Sequence, residues 1–124
     1  MRIYFDHNAT TPLHPAVLDA VTTTLARDFG NASSVHAFGQ RAKGLLDAAR
    51  EQVAQLLAAQ PADVVFTGSG TEADNFALRG AVEAADARGR RHLVVSAIEH
   101  EAVLNTARHL ARRGWSLFVA PAVA

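Results

Sequence analysis

Between Val64 and Ala120 the chain alternates short apolar runs with longer helical patterns, and this alternation constrains the fold more than any other feature. Val64-Val65-Phe66, His92-Leu93-Val94-Val95-Ser96 and Trp115 to Ala120 read as three strands. Thr71 to about Ala87 and Glu101 to Arg112 read as the helices between them, with Gly89 breaking the first. Strand–helix–strand–helix–strand demands crossover connections, so the strands are expected to be parallel and the class α/β. After the third strand come only Pro121-Ala122-Val123-Ala124. A parallel sheet needs neighbours and helices on both faces. Three strands with nothing to shield the last therefore predict an incomplete sheet, cut rather than finished.

Upstream, Pro15 to about Asp28 reads as a helix with Val17, Leu18, Val21 and Leu25 on one face. Proline suits its first turn. A longer helix is expected from about Phe38 to Ala59. Ala42, Leu45, Leu46, Ala49, Val53, Leu56 and Leu57 form its apolar stripe, and Pro61 ends it. Before these, Ile3-Tyr4-Phe5 is a short extended run leading into the polar loop Asp6 to Pro12. The expected division is residues 1–14 as an N-terminal strand and loop, and 15–124 as one α/β portion.

Composition removes several function classes. The formal net charge is zero, which leaves no basic excess for displacing counterions from nucleic acid. Arg88-Gly89-Arg90-Arg91 and Arg112-Arg113 fall where helices end and suit the helix dipole. The absence of cysteine excludes disulfides and thiolate metal sites. His7, His14, His36, His92 and His109 show no ligand-like spacing, so no metal is expected. The first residues are too few and too polar for a signal peptide. No apolar run approaches membrane-spanning length. A cytoplasmic protein without membrane contact is the expectation.

Two segments carry chemistry. Thr67-Gly68-Ser69-Gly70-Thr71-Glu72-Ala73-Asp74-Asn75 lies between a strand and a helix. Its glycines allow close backbone approach, and the helix start offers free N–H groups with a partial positive charge, a cradle for phosphate. Thr71 adds a hydroxyl. A structural reading stands beside this one, in which Thr71 and Asp74 form a capping box and Gly70 serves the turn. Gly68-Ser69-Gly70-Thr71-Glu72-Ala73 also fits the dinucleotide fingerprint, although no acid ends the next strand to hold a ribose. The second segment, Ser96 to Glu101, places His100 after the next strand. Ligands of open parallel sheets sit at such strand ends. An imidazole there can stack on an aromatic ring and move protons near neutral pH. The alternative is an ordinary surface histidine between two glutamates.

Tyr4-Phe5-Asp6-His7-Asn8-Ala9-Thr10-Thr11-Pro12 resembles the opening motif of cysteine desulfurases. Phe29-Gly30-Asn31 with Ser33-Ser34-Val35-His36, Phe66 to Asn75, and Glu99-His100 with Ala102-Val103-Leu104 resemble later motifs of the same family, in the same order and spacing. The likeness covers the whole chain but only about the first third of such a protein.

The resemblance implies part of the large domain of a fold type I pyridoxal-phosphate (PLP) enzyme, related to class V aminotransferases. It implies homodimers that take sulfur from L-cysteine as an enzyme persulfide, release L-alanine and pass the sulfur to an acceptor protein, as in iron–sulfur cluster assembly. Carried over by motif, Gly70 and Thr71 hold the PLP phosphate. His100 stacks on the pyridine ring and assists proton transfer, the one catalytic residue implied here. Asn8 to Thr11 lie near the active-site entrance. Ala32 departs from the family's usual proline, which changes loop stiffness. Larger departures are absences. PLP needs a lysine amine, yet the only lysine among 12 basic residues is Lys43, outside any matching motif. The persulfide cysteine is missing too. The chain is therefore expected to be inactive alone. A split enzyme completed by another chain, and a non-catalytic module binding PLP, another phosphate ligand or a dinucleotide, remain as alternatives.

Overall fold

The computed structural model describes residues 3–122. Met1 and Arg2, the start of the expected N-terminal strand and loop, and the final Val123 and Ala124 lie outside the described residues. The chain divides between Val65 and Phe66 into two compact units.

The first unit is helical. Helix α1 spans Pro15–Arg27 and α2 spans Ala37–Leu56, followed by a 3-10 turn at Pro61–Asp63. Histidines start both helices. The Ala16 N–H donates to His14 Nδ1 at 3.2 Å, and the Gly39 N–H to His36 Nδ1 at 3.3 Å. Each imidazole thereby satisfies one orphan donor of a first turn. The loop between the helices is tightly folded. Ser33 N–H donates to Asn31 Oδ1 and Ser34 N–H to the Asn31 carbonyl, both at 2.9 Å. Phe29 and Phe38 stack with ring centroids 5.4 Å apart. Gly39 is buried here, and a Cβ on it would stand 2.3 Å from the Ser34 carbonyl oxygen, so only glycine fits. Lys43 and Asp47 pair four residues apart along α2, and Arg50 bonds the same carboxylate at 3.1 Å. The Lys43 hydrogen bond, opposed by partial desolvation and aided by both cations' charge, holds the Asp47 carboxyl below its usual value.

The second unit holds the sheet. Its order is α3 Gly70–Asp86, β1 His92–Ser96, α4 Glu101–Arg112 and β2 Ser116–Ala120. β1 and β2 are parallel, in register from His92 opposite Ser116 to Ser96 opposite Ala120. Val95 of β1 packs against Leu104 and Ala107 of α4, with Val103 and Leu117 beside them. Alternation along a strand sends Val94 to the other face, where it is 64% exposed, as is Phe118 at 54%. The two-stranded sheet is thus covered on one face, and the class is α/β as expected.

The strand count needs correction. Two strands pair among the described residues, not three. Val64 is extended, but the run Val64-Val65-Phe66 joins no ladder. Instead Arg50 Nε donates to the Val64 carbonyl at 3.2 Å, tying this run to α2. Strand pairing is non-local, and an apolar run shows only that a strand could form. Ile3-Tyr4-Phe5, expected within an N-terminal strand and loop, likewise joins no ladder. The remaining helix and strand bounds match expectation within a few residues, with β1 and α4 matching at both ends. The described helices include none long and apolar enough to cross a membrane.

Candidate functional site

The candidate phosphate cradle lies at the cap of α3. Ser69, in extended conformation, is the N-cap, and its hydroxyl accepts from the Glu72 N–H at 3.2 Å. The Glu72 carboxylate reaches back and accepts from the Gly68 N–H at 2.7 Å. The cap therefore sits two residues before the Thr71–Asp74 pair suggested by sequence. Ser69-Gly70-Thr71-Glu72 is itself the S-x-x-E signature that would have found it.

This arrangement settles two donors and leaves two others. The Gly70 and Thr71 amides, and the Thr71 hydroxyl, donate to nothing among the described residues. A Cβ built on Gly70 would meet nothing within 4 Å, so the backbone is open to a ligand there. Two free amides, one free hydroxyl and the positive end of a 17-residue helix suit a dianionic phosphate. The donor set fits the phosphate of PLP.

His100 caps α4 just as His14 and His36 cap their helices. The Ala102 N–H donates to its Nδ1 at 3.1 Å. An accepting Nδ1 leaves the ring proton of the neutral imidazole on Nε2. Thr71 and His100 line one cavity of about 430 Å³, together with Asn75, Arg79, Asn105 and Thr106 among others. The sequence placed these two on one rim because both would follow strands. Only His100 follows a paired strand; Thr71 is brought to it by the packing of α3 on α4. Gly70 adjoins Thr71 without lining the cavity.

Asn75 closes the glycine-turn motif but was given no role by sequence, and Thr106 was not singled out. Asn75 stands four residues after Thr71, hence on its helix face, and that spacing was the available signal. Thr106 gave none, because its partner lies on a different helix. The motif Asp6 to Thr11 belongs to the first unit and folds on itself. Ala9 and Thr10 amides donate to the Asp6 carbonyl at 3.1 and 3.3 Å, and the Thr11 hydroxyl donates to that of His7 at 3.2 Å.

The sequence profile of the aminotransferase class-V family matches residues 3–124. The chain belongs to that family. It is 44% identical over 123 residues to a protein named cysteine desulfurase IscS of Photorhabdus laumondii, covering 96% of this chain and 30% of that protein. A cysteine desulfurase IscS of Anaeromyxobacter is 45% identical over 116 residues, covering 93% and 28%. The chain thus spans about a third of the length of these relatives. Among solved structures, a NifS-like protein superposes with a TM-score of 0.87 at 35% identity, covering 96% of this chain and 32% of its own. DndA from Streptomyces lividans superposes at 0.77 with 42% identity, covering 90% and 31%. At these identities the likeness extends beyond fold. The class-V aminotransferase family depends on PLP, and its fold type I architecture is the one this chain carries in part.

Proposed function

We propose that this chain is the N-terminal portion of a cytoplasmic, homodimeric, PLP-dependent cysteine desulfurase. That enzyme converts L-cysteine to L-alanine and hands the sulfur, carried as a persulfide, to an acceptor protein. Residues 15–124 then form the first part of its large PLP-binding domain, preceded by a 14-residue N-terminal segment. The supporting observation is the single cavity shared by Thr71, beside its free amide pair with Gly70, and His100.

PLP, when bound, supplies an electron sink that loosens bonds at the amino-acid Cα. The chain's own residues bind and orient. Gly70 and Thr71 bind the phosphate through two N–H groups and a hydroxyl. His100 offers a flat ring whose Nδ1 accepts from the Ala102 N–H, which leaves an Nε2–H as a hydrogen-bond donor; the ring takes up a proton only when that capping bond opens. Lys43 is engaged with Asp47 on α2 and the chain has no cysteine. On this reading the cofactor's lysine and the persulfide cysteine come from further polypeptide.

The test is to read the coding frame beyond the Ala124 codon and assay the protein that contains both groups. His100→Ala there should lower alanine formation from L-cysteine by about 100-fold or more, the usual loss with a proton-transfer group, and leave circular dichroism unchanged. Unaltered turnover would remove His100 from this role. A frame without lysine and cysteine, and no second chain supplying them, would remove the desulfurase activity.

A further inference from the structure

Asn75 makes two side-chain bonds that join the halves of the cavity. Its Nδ2 donates to the Thr71 carbonyl at 2.9 Å, and its Oδ1 accepts from the Thr106 hydroxyl at 2.7 Å. The chemistry fixes this orientation. A carbonyl only accepts, so the NH2 must face Thr71, which leaves the amide oxygen for the hydroxyl. Thr106 is 7% exposed, the one buried polar residue among those described. A threonine inside a helix commonly returns its hydroxyl to the carbonyl four residues back. Thr106 instead gives it to a residue 31 positions earlier, on α3. It lies in α4, whose N-cap is His100.

We infer that Thr106 and Asn75 form a positioning relay, which fixes the phosphate-binding first turn of α3 against the His100 end of α4. This rests on the phosphate reading given above. Neither residue is catalytic. The relay sets the separation between a phosphate site and a ring site, and so selects ligands in which a phosphate is joined to a flat ring through a short, stiff link. Without it the two helices remain packed through apolar side chains, but the amides of Gly70 and Thr71 lose their fixed relation to the imidazole. A one-ångström error in such a constellation is costly.

The test uses the 124-residue chain and two probes, pyridoxine 5′-phosphate and pyridoxine. Neither has an aldehyde, so neither forms an imine with Lys43. Dissociation constants are measured by calorimetry for the unaltered chain, Thr106→Val, Asn75→Ala, the double variant and Thr106→Ser. The unaltered chain should prefer the phosphate ester. Thr106→Val should reduce that preference about tenfold, the effect of one lost buried hydrogen bond with a stranded acceptor. Asn75→Ala should match it, and the double variant should be no worse than either single, since the pair acts as a unit. Thr106→Ser should restore the preference. Simple damage to the fold would weaken both probes alike, and Asn75→Ala, at a half-buried position inside a helix where alanine is a good former, covers the case in which Thr106→Val fails to fold. Additive losses, or an undiminished preference in both single variants, would overturn the relay while leaving the phosphate reading intact. Equal binding of the two probes by the unaltered chain would overturn the phosphate reading and the relay with it.

Discussion

Helices α1 and α4 both carry apolar residues at helical spacing, more sharply segregated to one face in α4, and they meet different fates. α4 buries Ala102, Leu104, Thr106, Ala107 and Leu110 against β1, β2 and α3. α1 buries nothing, and Val17, Leu18, Val21 and Leu25 stand between 45% and 75% exposed. An amphipathic pattern states that a face wants cover. It does not state which part of a polypeptide supplies it. In α4 the cover comes from within about thirty residues of the same chain, as expected of a βαβ unit; for α1 the described residues provide none.

Core truncation should separate the two regions most strongly. Leu104→Ala, at a site 6% exposed beside Val95 and Ala107, should cost about 2–4 kcal/mol. Trp115, the sole tryptophan and a residue of the second unit, reports the loss as a shifted urea midpoint. Leu18→Ala should cost less than about 0.5 kcal/mol, because the leucine already meets solvent. Equal costs would erase the contrast.

The loop between α1 and α2 sharpens it, being tightly built despite its exposed neighbours. Gly39→Ala should destabilise the first unit by about 1–3 kcal/mol through overpacking against the Ser34 and Asn31 carbonyls. Hydrogen exchange at the α2 amides would show it.

A smaller effect compares helix ends. α2, α3 and α4 all close with a bond from an N–H to the carbonyl five residues back, from Ala59, Arg90 and Trp115. In the second unit the left-handed residues before those donors are Gly89 and Gly114; in the first it is Ala58, at φ 51°. Alanine pays a steric cost there that glycine escapes. Ala58→Gly should therefore raise the stability of α2 by about 0.5–1 kcal/mol, whereas adding a side chain at Gly89 should do the opposite.

The smallest expected effect is electrostatic. Arg91, through hydrogen bonds and its charge and against mild desolvation, holds the Asp86 carboxyl below its ordinary 3.8, and Asp86 raises the Arg91 guanidinium in return. A depressed carboxyl contributes stability above the unfolded value, lost as pH falls through the folded one. The α3–β1 junction should accordingly weaken only below about pH 4. Both groups are exposed, so the change should be slight. Asp86→Asn should flatten the acid limb of the Trp115 melt.

Legibility followed the same divide. β1 and α4 were found to the residue because their periodicity is answered by partners close in sequence. Gly70, Thr71 and His100 were singled out by motif; Thr71 and His100 line one cavity, and their roles toward a ligand belong to the proposal. Val64-Val65-Phe66 misled, since an apolar run carries no information on whether a partner strand is at hand, and here it joins no ladder. The histidine caps were missed because imidazole is a rare N-cap, and a lone histidine before a helix carries no spacing signal. Asn75 stood in the motif without a role, and Thr106 went unmarked, because their bond crosses between helices.

The central claim is that the second unit holds a phosphate site at the start of α3 facing His100. The most direct measurement is a titration of the 15N-labelled chain with pyridoxine 5′-phosphate, followed amide by amide. The account predicts saturable shifts centred on Gly70 and Thr71, with His100 responding and α1 silent. Shifts centred instead on the arginines from Arg88 to Arg91, or no saturation at Gly70 and Thr71, would contradict it.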